Sequence, residues 1–223
     1  MAAQHRSTAE GRAAFAKLCE KYWFPLYAFV RQSERDVHRA RDLTQSFFAK
    51  LLEKNYVADA DPERGRFRTF LLASLSNFMA NEWNKEQAKK RGGGVQHISL
   101  DYEKAERWLR QEPADRQSPE LLFERRWAMT LLRQTLDRLR EQFASQDKTE
   151  SFEELRQYLA PGDSEPYADV AARLGMTEGA LRVAVHRLRS QYREILREEI
   201  ADTLSSISDV DDEIGRLFEV FSS

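Results

Sequence analysis

Residues 167–186 read YADVAARLGMTEGALRVAVH, and this stretch has the pattern of two helices that meet at a tight turn. A helix-turn-helix needs a small residue where the helices touch, a glycine in the turn and apolar residues between the helices. Ala171 supplies the small residue, Gly175 supplies the turn, and Thr177 is a typical cap for the second helix. The sequence therefore predicts a helix-turn-helix. Its predicted interior consists of Val170, Leu174, Met176 and Leu181.

The second of these helices carries basic residues beside its apolar face. The residues predicted to be buried are Leu181, Val185, Leu188 and Tyr192. Basic residues follow at the same helical spacing and so share one side of the helix: Arg182, His186, Arg189 and Arg193. Taken alone, such a row is usually a solvated face of a core helix. Behind a helix-turn-helix turn, it favours a recognition helix that enters the major groove of DNA.

Helical spacing dominates the rest of the chain, and strand signals are almost absent. Apolar residues recur at helical intervals over residues 15–26, 43–52 and 67–83, which predicts three amphipathic helices around one core. Pro25 is expected to kink or end the first of them. The three glycines at 92–94 are expected to end the third.

We therefore expect an all-α protein with two small helical domains joined by an irregular linker. The predicted limits are 8–92 for the first domain, 93–117 for the linker, 118–200 for the helix-turn-helix domain and 201–223 for a C-terminal extension. Ser118-Pro119-Glu120 marks the start of the second domain. Serine caps helices, proline suits their first turn, and glutamate interacts well with the helix dipole there.

Charge is distributed unevenly along the chain. The 223 residues include 35 basic and 37 acidic side chains, for a net charge of -2. Residues 201–223 hold six acidic residues and one basic residue, which gives -5 there and +3 elsewhere. A near-neutral total does not exclude nucleic-acid binding when positive charge clusters locally. The acidic extension either folds back on the basic body and weakens DNA binding, or forms an ordinary packing helix.

A second basic segment runs from Lys85 to Arg91. It continues a predicted helix with amide and aromatic side chains and lies downstream of three arginines. Cations, amides and aromatic rings on one surface can hold a phosphate backbone and stack on exposed bases. An ordinary helix C-terminus, where basic residues favour the dipole, is the alternative. The candidate contacts are Arg64, Arg66, Arg68, Asn77, Asn81, Trp83, Lys85, Lys89, Lys90 and Arg91.

Motifs of catalysis are missing from the sequence. It contains no P-loop, no dinucleotide-binding glycine pattern and no HExxH motif, and its four histidines are scattered. Cys19 is the single cysteine and cannot build a cysteine-rich zinc site. We expect no enzyme activity, no cofactor and no metal. Short apolar runs, the lack of a secretory signal and the single cysteine favour a cytoplasmic protein without a membrane segment.

Several segments resemble the extracytoplasmic-function class of bacterial RNA polymerase sigma factors. Similarity to the family's promoter-melting domain lies in YWFPLYAFVR (22–31), RDLTQSFFAKLLEKNY (41–56), ADPERGRFRTFLLASLSNFMANE (60–82) and KKRGGG (89–94). Similarity to its second domain lies in SPELLFERRWAMTLL (118–132) and YADVAARLGMTEGALRVAVHRLRSQYREILREEI (167–200). The resemblance covers about residues 8–200 in the family's order. It is strongest to the branch found in genomes rich in Ser/Thr protein kinases.

The resemblance implies a transcription initiation factor with two domains. A helical bundle like sigma region 2 would capture the melted upstream edge of the transcription bubble with the basic and aromatic candidates above. The linker would run through core RNA polymerase toward its active centre. A helix-turn-helix like sigma region 4 would bind the polymerase flap and the upstream element of promoter DNA. The residues implied for that upstream contact are Thr177, Glu178, Gly179, Arg182, Val183, His186, Arg187 and Arg189.

The sequence departs from the family pattern at two places. Val183 and Ala184 stand where the family commonly has a polar and a basic residue, so base contacts should depend on Arg182, Glu178, the Gly179 backbone and His186. The helix that would face the polymerase clamp is less acidic than usual. Its implied contacts are Asp42, Gln45, Ser46 and Lys50.

The missing acidic charge on that helix suggests phosphorylation as a hypothesis. Arg41 and Ser46 occupy positions where the family commonly has acids. A phosphate on Thr44 or Ser46 would add about -1.5 to -2 charge and restore an acidic face. The alternative is that both are ordinary polar positions. A Ser/Thr kinase is thus one candidate partner. The resemblance also implies core RNA polymerase and promoter DNA as partners, with an anti-sigma protein as a further candidate.

Two other functions are compatible with these patterns. A free-standing helix-turn-helix repressor or activator would bind duplex DNA alone, usually as a dimer on paired half-sites. A helical adaptor would use its basic rows to bind an acidic protein partner. Neither would create new transcription start sites.

Overall fold

The structure, a computed structural model, describes residues 2–53, 67–88, 100–111, 118–160, 162–203 and 210–221. In these ranges the fold is all-α, as predicted, without a β-strand. None of the helices there has both the length and the apolar composition that crossing a bilayer requires. The helices are α1 (Ala2–Ser33), α2 (Val37–Glu53), α3 (Phe67–Ala88), α4 (Tyr102–Gln111), α5 (Pro119–Ala144), α6 (Thr149–Leu155), α7 (Tyr167–Arg173), α8 (Glu178–Ala201) and α9 (Val210–Glu219), with a 3-10 turn at Arg156–Tyr158.

The chain divides into two compact units. The first comprises residues 1–130 and 216–223, and the second comprises residues 131–215. This division falls inside α5 and α9. The domain limits predicted from the sequence do not coincide with it and stay predictions.

The first unit has an aromatic-rich core formed by α1, α2 and α3. Burying large aromatic rings removes much apolar surface from water and stabilises the fold. Pro25 does not end α1, which continues to Ser33. Its neighbours Phe24 and Leu26 are buried, and their burial outweighs the hydrogen bond that a proline removes. Further core residues are Tyr22, Tyr27, Phe47, Phe48, Leu51, Leu71, Leu75 and Phe78.

Residues 102–111 form helix α4, within a segment that the sequence predicted to be an irregular linker. Asp101 caps the helix by accepting a hydrogen bond from the Lys104 backbone N–H at 2.9 Å. The buried Glu106 accepts hydrogen bonds from the Tyr27 hydroxyl at 2.6 Å and from Arg31 Nε at 2.8 Å. Burial and this carboxylate raise the pKa of Tyr27 to about 12, so the phenol stays protonated. The sequence prediction failed because α4 is held by a buried ionic network on α1.

The second unit has one hydrophobic cluster that unites α5, α6, α7 and α8. Arg173 on α7 pairs with Glu154 at 2.6 Å and with Glu165 at 2.7 Å. Arg138 on α5 pairs with Glu199 on α8 at 2.6 Å. These ion pairs help to orient the helices relative to one another, whereas the burial of apolar side chains supplies most of the stability. The buried members are Leu139, Phe152, Leu155, Tyr158, Val170, Ala171, Leu181, Val185, Leu188 and Ile195.

The acidic C-terminal extension contains α9. Val210 and Leu217 are buried, and Phe218 is exposed. Arg197 on α8 forms an ion pair with Asp211 at the start of α9. This burial agrees with the packing-helix alternative for residues 210–219. An effect of the extension on DNA binding stays a prediction.

Candidate nucleic-acid interface

Helices α7 and α8 are joined by the tight turn that the sequence predicted. Gly175 has a φ of +64°, in the left-handed region that favours glycine. The Met176 N–H donates to the Ala171 carbonyl at 3.0 Å, and the Gly175 N–H donates to the Ala172 carbonyl at 3.2 Å. This pair of bonds is the Schellman arrangement that ends a helix. Thr177 then caps α8, because its hydroxyl accepts the Ala180 N–H at 3.2 Å.

The apolar side of α8 is fixed in the core of the second unit. Leu181, Val185 and Leu188 are each at most 2% exposed, and they pack in one cluster with Val170 and Ala171 of α7. The remaining predicted interior residues, Leu174 and Met176, are half-buried at the edge of this cluster. Tyr192 is also half-buried, and its hydroxyl donates to the Leu132 carbonyl at 3.3 Å. The rotation of α8 about its own axis is therefore set by packing.

The opposite side of α8 presents small, apolar and basic residues to the surface. Because each helical residue advances by about 100°, Gly179, Val183 and His186 lie opposite the buried face. Arg182 lies on one side of this row and Arg187 on the other. The exposed residues include all eight that the resemblance implied as contacts for the upstream element: Thr177, Glu178, Gly179, Arg182, Val183, His186, Arg187 and Arg189. We call this set the α8 face.

Arg182 is held in place by two weak contacts. Its Nη2 lies 2.5 Å from Glu178 Oε1, one turn earlier on α8. Its Cζ lies 4.9 Å from the centre of the Tyr167 ring. Both charged side chains are largely exposed, and such surface pairs contribute only about 0.3–0.5 kcal/mol. The guanidinium can therefore exchange these contacts for a phosphate or a guanine edge at little cost.

Arg189 differs from the other basic residues of the α8 face. Its Nε donates to the Tyr158 carbonyl at 2.9 Å, so the guanidinium is tied to the 3-10 turn. It remains exposed, but helical periodicity places it at the margin of the buried side. This hydrogen bond links α8 to the 3-10 turn at Arg156–Tyr158. Sequence reasoning missed this bond because an arginine at a basic spacing gives no sign of a backbone partner.

Candidates for the melted element are only partly brought together on α3. Asn77 and Asn81 are one turn apart, exposed, and share a side of the helix. Trp83 is 59% exposed, but periodicity places it about 140° around the helix from that pair. The three residues therefore flank the buried side of α3 and do not form one patch. Outside the described residues lie Arg64, Arg66, Lys89, Lys90 and Arg91, and the Lys85 side chain is likewise not described.

Arg68 is a packing residue in this structure, which corrects its prediction as a surface contact. The residue is only 3% exposed. Its Nε lies 2.5 Å from Glu124 Oε2, and its Cζ lies 4.2 Å from the centre of the Trp127 ring. The ion pair and the ring satisfy the charge inside the first unit. The guanidinium is thus directed away from solvent.

The implied polymerase contacts lie on the outer side of α2. Asp42 is exposed, whereas Gln45, Ser46 and Lys50 are half-buried. Lys50 Nζ lies 5.1 Å from the centre of the Phe78 ring. Ser46 and Asp42 line a shallow polar depression together with Asp36, His38, Arg39, Leu43 and Glu82.

Thr44 is inaccessible, so its prediction as a phosphorylation site is wrong for this conformation. The residue has 0% exposure, and its hydroxyl donates to the Ala40 carbonyl at 2.8 Å. A kinase would have to unfold α2 to reach it. The sequence carries a signal for this burial, since Thr44 shares a helix side with Ala40, Phe48 and Leu51.

Comparisons with protein-family models, curated proteins and solved structures give no match. In the part of the chain that the structure describes, no group of three His, Cys, Asp or Glu residues is arranged to hold a metal ion.

Proposed function

We propose that this protein is a cytoplasmic transcription initiation factor of the extracytoplasmic-function sigma type. It binds core RNA polymerase and directs it to specific promoters without catalysing a reaction itself. The observation that supports this most is the α8 face. A capped helix follows a glycine turn, its apolar side is locked in a core, and its free side carries basic residues.

The α8 face suits the upstream, double-stranded promoter element. The major groove admits an α-helix, and the first turns of a recognition helix contact base edges. Arg182 and Glu178 lie in those turns, where an arginine suits guanine and a carboxylate suits the cytosine amino group. Arg187 and Arg193 are exposed further along, where phosphates would lie.

The melted element needs a different chemistry, and α3 offers parts of it. Stacking of an unpaired base on an aromatic side chain contributes about 1–3 kcal/mol. Trp83 is the most exposed large hydrophobic side chain among the described residues. We assign it to a flipped or unstacked base, and we assign Asn77 and Asn81 to a separate contact with the strand backbone. The α2 residues Asp42, Gln45, Ser46 and Lys50 are proposed to face the polymerase clamp.

Transcription with cognate core RNA polymerase tests this proposal. Adding the full chain is expected to create new start sites that share an upstream sequence element. Arg182→Ala should lower initiation at these sites by about five- to 150-fold, the factor for losing about 1–3 kcal/mol of base contact. Arg140→Ala is the matched control, because Arg140 is also an exposed arginine paired with a glutamate, Glu153. It should have no effect.

Failure of the chain to change start sites would refute the sigma proposal. Trp83→Ala should impair initiation on duplex promoters and much less on templates with a pre-melted bubble. Phe218→Ala, at another exposed aromatic residue, is its control. Equal effects of both aromatic variants would remove Trp83 from the proposed site.

A free-standing regulator of duplex DNA is the second candidate. The whole helix-turn-helix core lies within residues 131–215, which form a compact unit by themselves. Such a regulator would bind a specific duplex tightly without polymerase and would create no start sites. A helical adaptor for an acidic protein would show neither property.

A further inference from the structure

One apolar residue occupies the centre of the basic α8 face. Val183 is 50% exposed. Single exposed apolar residues are common on protein surfaces and need no function. The position of Val183 is what distinguishes it, because it lies opposite the buried Leu181 and Val185 and between Arg182 and Arg187. A helix seated in a groove by its flanking arginines would direct this valine at the base pairs.

The surroundings of Val183 allow a close approach. One turn earlier, Gly179 has no side chain, and a Cβ built there would meet nothing within 4 Å. Bases can therefore come near the helix backbone on that side. Val183 itself is β-branched, and in a helix such a side chain is almost confined to a single rotamer. Its two methyl groups are held in place before any ligand binds.

The chemical groups that bases present in the major groove determine which base Val183 can contact. Among the four standard bases only thymine presents a methyl group in the major groove, whereas the others present only donors and acceptors. A valine cannot pair with those polar groups, and it would exclude the water that otherwise satisfies them. An apolar contact with a thymine methyl avoids this cost.

We propose that Val183 determines sequence specificity by contacting the 5-methyl group of a thymine in duplex DNA. This inference rests on the duplex-binding part of the proposed function and does not require polymerase. A 5-methylcytosine carries a methyl group at the same position. A library of unmodified DNA contains no 5-methylcytosine, so any methyl group that the protein contacts in it belongs to thymine. The expected strength is that of one buried methyl group, about fourfold in affinity, which corresponds to about 0.8 kcal/mol.

The test begins with the full chain and a random-sequence duplex library, with and without core polymerase. The selected duplex is then resynthesised with each thymine replaced in turn by deoxyuridine, which removes only the methyl group. For the wild-type protein, one such replacement should weaken binding by about fourfold. For Val183→Ala, the same replacement should have less than about a twofold effect, because the contact is already lost. Met129→Ala, at an exposed apolar residue on α5, should keep the full wild-type sensitivity.

The possible results distinguish a failure of the proposed duplex binding from a failure of the Val183 inference alone. If no duplex is enriched under either condition, the proposed duplex binding fails and this inference fails with it. If a duplex is enriched but no thymine is sensitive to loss of its methyl group, only the inference is overturned. Equal sensitivity in the wild type and Val183→Ala would show that another residue makes the methyl contact. Sensitivity at one thymine that disappears in Val183→Ala alone supports the proposal.

Discussion

Replacing two glycines of the helix-turn-helix by alanine should change stability in opposite directions. Gly175 has a φ of +64°, whereas Gly179 is the second residue of helix α8. At both positions an added Cβ would meet nothing within 4 Å. The added methyl group therefore clashes at neither position, and the expected difference between the two variants comes from the backbone conformation.

The magnitudes follow from that conformation. An alanine in the left-handed region costs about 1–2 kcal/mol. Its smaller conformational freedom in the unfolded chain returns about 0.4–1 kcal/mol. Gly175→Ala should thus lower the free energy of unfolding by about 1 kcal/mol. Gly179→Ala should raise it by up to about 0.5 kcal/mol, because alanine is the better helix former and Gly179 is the second residue of α8, where the full interior value of about 0.5–1 kcal/mol is not reached.

Urea denaturation followed by circular dichroism at the helical band would measure both changes. In a parallel thermal denaturation, 1 kcal/mol corresponds to a shift in Tm of about 2–4 °C for a chain of this size. Gly175→Asn should be less destabilising than Gly175→Ala, because asparagine enters the left-handed region more readily. If Gly175→Ala were as stable as the wild type or more stable, the left-handed conformation of Gly175 would be contradicted.

Three further predictions concern the first unit. Arg68→Ala should lower the free energy of unfolding by about 3 kcal/mol, because it leaves the partly buried Glu124 without its cation. Arg68→Lys should not restore the ring contact with Trp127. Urea denaturation would measure the loss of stability, and wild-type stability of Arg68→Ala would mean that Arg68 is at the surface. The pKa of Asp36 is lowered, chiefly by the backbone N–H groups of Arg39 and His38, so its contribution to stability is present above the ordinary value of 3.8 and is lost as pH falls through the lower value of the folded state. Asp36→Asn, which still caps α2, should show a shallower loss of unfolding free energy on acidification below that value, and an unchanged pH profile would contradict the assignment. Ser46→Glu should bind core polymerase more tightly than Ser46→Ala in a pull-down, and equal binding would discard phosphorylation at this position.

The sequence was sufficient for the helix-turn-helix because its signals are local. A glycine at the required φ, a threonine cap and apolar residues every three or four positions lie within about twenty residues. Each of these features acts on its neighbours in the chain. The turn, the cap and the buried side of α8 could therefore be located without knowing the rest of the fold.

Features that depend on distant residues could not be predicted in this way. Arg68 has its partners more than fifty residues away, and an arginine in a basic sequence is normally expected at the surface. Helix α4 is held by Glu106, whose partners Tyr27 and Arg31 belong to α1. Trp83 and Asn77 were predicted to share a surface because they share a helix, but their spacing separates them.

The separation of roles along α8 has an evolutionary consequence. Gly179, Val183 and His186 are exposed and are not members of the hydrophobic cluster, while Leu181, Val185 and Leu188 are buried members of it. Substitutions at Val183 and His186 should therefore change the folding free energy little, whereas Gly179 also affects the stability of the helix itself. If the proposed function holds, such a scaffold can acquire a new target sequence through a few point mutations, and related proteins with the same fold can differ in the DNA that they bind.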